Sequence, residues 1–179
     1  MIRLVKPSVY DELYKDEQFE KYNCLVQLVG EPRGDLLDAG CGTALLYEYF
    51  EIKNYRVKRY ICLDPDEEIL IEALKKLVKE PRALIILGYA EKLPLRSGVF
   101  DYALSISTWG AIEEKGKALH ELKRVINEKG VAVITGHPRT YKVLPSDLDQ
   151  EYSFKLNCVD DFYIYKPQVK PVDARNSLS

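Results

Sequence analysis

Short apolar runs alternating with helical patterns constrain the fold of this chain more than any other feature. Asp35–Ala39, Arg59–Leu63, Arg82–Leu87, Phe100–Ile106 and Gly130–Thr135 read as strands. Helical spacing marks Pro7–Leu28, Ala44–Phe50, Asp66–Lys79 and Lys117–Asn127. In Asp66–Lys79, Ile69, Leu70, Ala73, Leu74 and Leu77 share a face, and acids lead into lysines as the helix dipole favours. Strands that alternate with helices pair in parallel through right-handed crossovers. Arg82–Leu87 is apolar along its length, the pattern of a strand covered on both faces. The alternation then breaks. Tyr152–Cys158 and Phe162–Tyr165 read as two strands joined at Val159-Asp-Asp161, with no helix between them. The predicted fold class is α/β, a doubly wound parallel sheet ending in an antiparallel hairpin.

With 179 residues, 46% of them hydrophobic, the chain supports one cored domain, expected over 1–168, with 169–179 as a polar flexible tail. Lys plus Arg is 26 and Asp plus Glu is 28, a net charge of −2 that argues against a long phosphate-gripping footprint. No run of ~20 apolar residues suits a membrane span, and the first residues lack a signal-peptide core, so a cytoplasmic protein is expected. Lys and Glu dominate the charge while Gln, Asn and Met are sparse, the composition of a thermophile. Cys24, Cys41, Cys62 and Cys158 are scattered without a CxxC pair or a His at zinc spacing, so no metal is expected and the four read as ordinary buried thiols.

The chemistry is concentrated at Asp38-Ala-Gly-Cys-Gly-Thr43, where the first strand meets a helix. Ligands of open α/β sheets sit beyond the carboxyl ends of the strands, and glycine lets the backbone approach them. The third glycine of GxGxxG is missing, and Asp38 stands two residues before the first. A carboxylate there opposes a pyrophosphate at the helix N-terminus, whereas a sulfonium and an ammonium suit it. Asp64 closes the second strand, 22 residues beyond Gly42, where an acid accepts from ribose hydroxyls. NAD uses the same ribose acid, so Asp38 and the absent glycine separate an S-adenosylmethionine site from an NAD(P) oxidoreductase. Both acids also suit helix capping, which is compatible with either reading.

Leu36–Thr43, Leu63-Asp-Pro-Asp66, Gly88-Tyr-Ala-Glu-Lys-Leu-Pro94, Phe100-Asp101 and Val125–Gly130 together resemble the successive motifs of class I SAM-dependent methyltransferases, in their small type 11 subgroup. The resemblance covers about residues 30–136 and implies a Rossmann-like methyltransferase domain with S-adenosylmethionine as cofactor. It implies that Asp38, Ala39, Gly40, Cys41 and Gly42 face the methionine part, that Asp64 holds the ribose, and that Pro65 and Asp66 border the adenine. Ala90 and Glu91 fall beside the adenine edge, and Ser105 and Ile106 near the sulfonium. Tyr89 stands where the family has an adenine-contacting Asp, and the loop Ser107–Ile112 lacks the family's frequent His, so no base role carries over there. No Asn-Pro-Pro-Tyr or loop cysteine follows the fourth strand, which disfavours amino-nitrogen and cytosine-C5 methylation.

Residues 1–29 are expected to form an N-terminal helical lid, with Tyr10, Tyr14 and Tyr22 either over the cofactor or packed on the sheet. Trp109 is a candidate wall of the acceptor pocket or a packing residue. His137 is the one His near the presumed mouth and a weak candidate base; His120 and the cluster Lys53, Arg56, Lys58 and Arg59 read as solvated. The connection from His137 to Gln150 is short, so an open acceptor site for a macromolecule, or one completed by a second copy or a partner subunit, is expected. The acceptor is unassigned among small molecules, RNA and protein, and a catalytically silent SAM-binding or scaffold subunit is the alternative.

Overall fold

The computed structural model describes residues 6–139, 143, 148, 152–155 and 158–167. The chain runs α1 (Pro7–Val29), β1 (Asp35–Ala39), α2 (Leu45–Ile52), β2 (Arg59–Asp64), α3 (Glu67–Leu77), β3 (Ala83–Leu87) and β4 (Phe100–Ser105). A 3-10 turn (Trp109–Ala111), α4 (Lys115–Val125), β5 (Ile126–Gly136), β6 (Tyr152–Lys155) and β7 (Asp161–Tyr165) complete it. The seven strands form one sheet in the order β3-β2-β1-β4-β5-β7-β6. The first five are parallel, β7 lies antiparallel to β5, and β6 lies antiparallel outside β7. The order reverses between β1 and β4, which opens a crevice at the carboxyl ends of those strands.

Strand alternation divides the core into two layers. Leu36, Tyr60, Cys62, Leu104 and Val133 point to the face covered by α1, α2 and α3. Leu37, Ile61, Leu63, Ala103, Ala132 and Ile134 point to the other, covered by α4 and the Trp109 turn. Asp66 accepts from the N–H groups of Glu68 and Ile69 and so fixes where α3 starts.

Three sequence expectations change. β3 is an edge strand, with Leu84 and Leu87 more than half exposed; no described helix lies between β3 and β4 to cover its second face. β5 starts at Ile126, directly from the end of α4, and reaches Gly130 with an irregular register against Phe100–Tyr102. A side chain at Gly130 would meet the Phe100 carbonyl, its Cβ only 2.8 Å away, so glycine lets the two strands close there.

The cysteines are the third change: Cys24 is bonded to Cys158 and Cys41 to Cys62, leaving no free thiol. Their partners come together only in the folded sheet, which spacing along the chain does not reveal. The first bond ties α1 to the segment entering β7, and the second ties the β1–α2 loop to β2. The expected tail, 169–179, and most of 140–151 lie outside the described residues.

Candidate functional site

Gly40 and Gly42 both adopt positive φ, +85° and +53°, as the chain turns from β1 toward α2. The Gly40 and Cys41 N–H groups donate to the Leu63 carbonyl at 2.7 and 3.1 Å, and the Cys41–Cys62 bond pins the same loop to β2. Gly42 N–H donates to Asp64 Oδ2 and Asp66 N–H to Asp64 Oδ1, each at 3.0 Å. Asp64 therefore stands with a fixed carboxylate plane at the carboxyl end of β2, against the glycine loop. It does not cap α3, which Asp66 does. Asp38 caps nothing either: α2 has no side-chain cap, and the Asp38 carboxyl accepts from the Tyr60 hydroxyl.

Asp38 is buried, and burial pushes its pKa up to about 7, against the lowering effect of the Tyr60 hydrogen bond and with a further rise from the nearby Asp64 charge. The native state thus holds a proton that the unfolded chain loses near pH 4. This contribution to stability is complete below that pH and is lost as pH rises through about 7. Urea unfolding of Asp38→Asn beside the parent protein checks it. The parent is expected to lose about 1 kcal/mol per pH unit relative to the variant across this window, and parallel curves would exclude a buried neutral Asp38.

The other expected residues divide. Ala39 is buried at the end of β1 and Cys41 in the loop, Ser105 and Ile106 are buried at the end of β4, and Thr108 shares a hydrogen bond with Ser105. Ser107 takes a left-handed backbone at φ +59° between them. Pro65 is exposed beside the half-buried Asp66. Ala90 is buried, Tyr89 is exposed, and Glu91 Oε1 accepts from Glu113 N–H at 3.0 Å. Tyr89, Glu91, Lys92, Glu113, Glu114 and Lys117 line an open groove of about 430 Å³. Sequence reasoning missed Glu113 and Glu114, which only the fold brings to Glu91.

Two of the acceptor-side candidates take their packing alternative. Trp109 is 1% exposed and packed among Leu119, Leu122 and Ile112 instead of on the crevice wall, with Lys115 Nζ 5.6 Å from its ring centre. Tyr22 is a core residue between Phe19 and Tyr49. Tyr10 and Tyr14 remain at the surface of the site, half-buried with ring centres 4.8 Å apart. Burial raises the Tyr10 hydroxyl pKa, helped by Tyr14, Glu17 and Asp11 on its own helix and, least, by Asp64 at the end of β2. His137 Nδ1 accepts from Arg139 N–H at 3.3 Å.

A buried polar network also escaped the sequence reading. Lys21, on α1, lies 3.1 Å from Asp160 and donates to Ser107 Oγ at 3.0 Å. Ser107 and Thr135 hydroxyls donate to Asp160 Oδ2 at 2.8 and 2.6 Å. Lysines and aspartates are common on any surface, and nothing local marks this pair as interior. At the other end of α1, Asp11 accepts from Thr43 and pairs with Lys76, which also reaches Glu48.

The family model for the methyltransferase domain matches residues 37–134, from β1 through β5. The chain belongs to this methyltransferase family. A malonyl-[acyl-carrier protein] O-methyltransferase of Geobacter sulfurreducens is 31% identical over 54% of the chain and 36% of its own length. An uncharacterised protein of Methanocaldococcus jannaschii is 30% identical over 70% of the chain and 46% of its own. The chain thus spans less than half the length of these relatives. Among solved structures, a Methanococcus maripaludis protein described as an S-adenosylmethionine-dependent methyltransferase superposes with a TM-score of 0.73, covering 93% of this chain and 92% of that one at 16% identity. A complex of the Haloferax volcanii Trm112 methyltransferase activator with its methyltransferase gives 0.64, at 16% identity, over 72% of this chain and 56% of that one.

S-adenosylmethionine is the cofactor of this methyltransferase family, and the donor set fits it. The Asp64 carboxylate stands at the glycine loop, where a dication is favoured and a diphosphate repelled, and a cation there would also draw the proton off the neighbouring Asp38.

Proposed function

We propose that this methyltransferase moves a methyl group from S-adenosylmethionine to an acceptor held against α1 over the carboxyl ends of β4 and β5. The observation that carries the reading is Asp64, fixed by two backbone N–H groups beside Gly42 where a ribose diol would lie. The cofactor supplies an electrophilic methyl on sulfur. Asp38 to Gly42 are proposed to cradle the methionine part, Pro65, Asp66, Ala90 and Glu91 to border the adenine, and Ser105 and Ile106 to flank the reacting centre. In-line displacement depends on alignment more than on proton transfer, so the packed β4 end with Ser107 and Thr108 is the positioning element. His137 is the candidate base for an acceptor that must lose a proton.

The class of acceptor is open within this reading: small molecule, RNA or protein. The malonyl-carrier relative supports a carboxylate oxygen as one option. The activator complex among the structural neighbours supports a second copy or a partner subunit. A Lys- and Glu-rich sequence supports a heat-adapted protein, and heat adaptation makes two disulfides compatible with the cytoplasm, since intracellular disulfides are a habit of hyperthermophiles. Among the described residues no helix is long and apolar enough to cross a membrane. A catalytically silent SAM-binding subunit is the second reading, favoured by the Arg139 N–H that engages the Nδ1 of the candidate base.

Calorimetric titration with S-adenosylmethionine tests the site. Asp64→Ala is expected to weaken binding about 100-fold, the loss of two charge-assisted hydrogen bonds; unchanged affinity would remove Asp64 from the site. A labelled-methyl assay against separated tRNA, rRNA, protein and metabolite fractions then divides the two readings. Label in one fraction supports the enzyme, and binding without transfer supports the silent subunit.

A further inference from the structure

Cys41 is the middle residue of the turn against which the cofactor is proposed to lie, with Gly40 on one side and Gly42 on the other. Three of the residues from 40 to 44, namely Gly40, Gly42 and Ala44, have positive φ. The two glycines are free to leave that conformation, and Ala44 holds it against the steric cost of its Cβ. α2 begins directly after the turn with no side-chain cap. The turn is therefore shaped from outside. Its backbone N–H groups lean on Leu63 and Asp64, and Thr43 is bonded to Asp11 on α1. The covalent tie is Cys41–Cys62, and Cys62 stands two residues before Asp64 on β2. One bond thus joins the glycine turn to the strand that carries Asp64. Cys24–Cys158 lies elsewhere, between α1 and the segment entering β7.

We propose that Cys41–Cys62 is a redox switch on the cofactor site: the disulfide holds the turn ready for S-adenosylmethionine, and a dithiol reductant lowers the affinity by releasing it. The inference rests on the cofactor reading above and adds its regulation. A thiolate of the reductant attacks the Cys41 sulfur, since Cys41 keeps 7% of its surface exposed and Cys62 none. The S–S bond breaks, a mixed disulfide forms on Cys41, and Cys62 leaves as a thiolate that takes a proton. The second thiol of the reductant then closes its own disulfide and releases Cys41 as a thiol. Two electrons and two protons pass from the dithiol to the protein. The reduced turn regains torsional freedom at both glycines, and ordering it again opposes cofactor binding. The hydrogen bonds to Leu63, Asp64 and Asp11 survive reduction, so the loss of affinity is graded, about tenfold. Binding and reduction are linked: a tenfold tighter grip by the oxidised form makes the bond tenfold harder to reduce once the cofactor is bound. For a two-electron couple that is a fall of about 30 mV in its midpoint.

Two measurements on the full chain test the switch. Calorimetric titration with S-adenosylmethionine is run on the oxidised protein and after dithiothreitol treatment, and the reduced form is expected to bind about tenfold more weakly. Cys41→Ser with Cys62→Ser is expected to bind at the reduced level and to ignore dithiothreitol, although its Cys24–Cys158 bond is still there to be reduced. The second measurement needs no variant. The parent protein is equilibrated across mixtures of reduced and oxidised dithiothreitol, with and without saturating S-adenosylmethionine. Alkylation and peptide mass spectrometry then read each cysteine pair separately. The Cys41–Cys62 midpoint is expected to fall by about 30 mV with the cofactor, and that of Cys24–Cys158 to stay in place. Equal affinity in the two redox states, or a Cys41–Cys62 midpoint that the cofactor leaves unmoved, overturns the switch and leaves the cofactor site standing. A serine variant that still loses affinity on reduction assigns the effect to Cys24–Cys158 and overturns the switch as well. Binding in neither redox state removes the cofactor site and the switch together.

Discussion

Replacing Lys21 by methionine is expected to lower the free energy of unfolding by about 3–5 kcal/mol. Lys21 is 3% exposed and its ammonium group lies 2.6 Å from Glu17 and 3.1 Å from Asp160, which is fully buried. Methionine keeps the stem's packing but leaves Asp160 as a buried carboxylate with, among the described residues, only the Ser107 and Thr135 hydroxyls to solvate it. Asp160→Asn alone leaves the lysine under-compensated in turn. The double variant, Lys21→Met with Asp160→Asn, removes both charges together and is expected to regain much of the loss. Urea unfolding of the four proteins gives a coupling energy of about 2 kcal/mol; strictly additive losses would show that the two groups do not act as a pair.

Loss of the Cys24–Cys158 bond is the second large effect. The residues are 134 apart in sequence, so the bond removes a long loop from the unfolded ensemble. Its removal by paired serine substitution is expected to lower stability by about 5 kcal/mol, a fall in melting temperature of roughly 10–20 °C for a chain of this size. Cys41 and Cys62 are only 21 apart, and their bond is expected to contribute about 3 kcal/mol. Thermal melts of the two paired variants side by side check the order. A smaller loss for the longer loop would contradict the loop-closure account.

What the sequence disclosed and what it hid follow from the range of the interactions. β1 is bounded by its own residues, Asp35 and Ala39, because the apolar run and the glycines after it are local signals. Asp64 was legible for the same reason: the end of an apolar strand and a fixed spacing from Gly42 place it at the loop. Lys21 and Asp160 meet only because α1 crosses the ends of β4, β5 and β7, and no local pattern encodes that crossing. Both disulfides are hidden in the same way. Trp109 stays open in the sequence because a tryptophan after a strand suits a pocket wall and a core equally, and packing beneath α4 decides the matter. Arg82–Leu87 misled because an apolar run records affinity for a covered surface without saying whether the cover comes from the same chain.

The left-handed turn at Gly40 brings its α-carbon so near the β4 loop that an added Cβ would sit 2.1 Å from the Thr108 methyl. Two segments from different halves of the sheet therefore draw on one parcel of space. Bulk at position 40 would need room surrendered at position 108 and would still strain the left-handed backbone, so the glycine is held there twice over. Any redesign of the crevice for a larger acceptor has to find its room elsewhere.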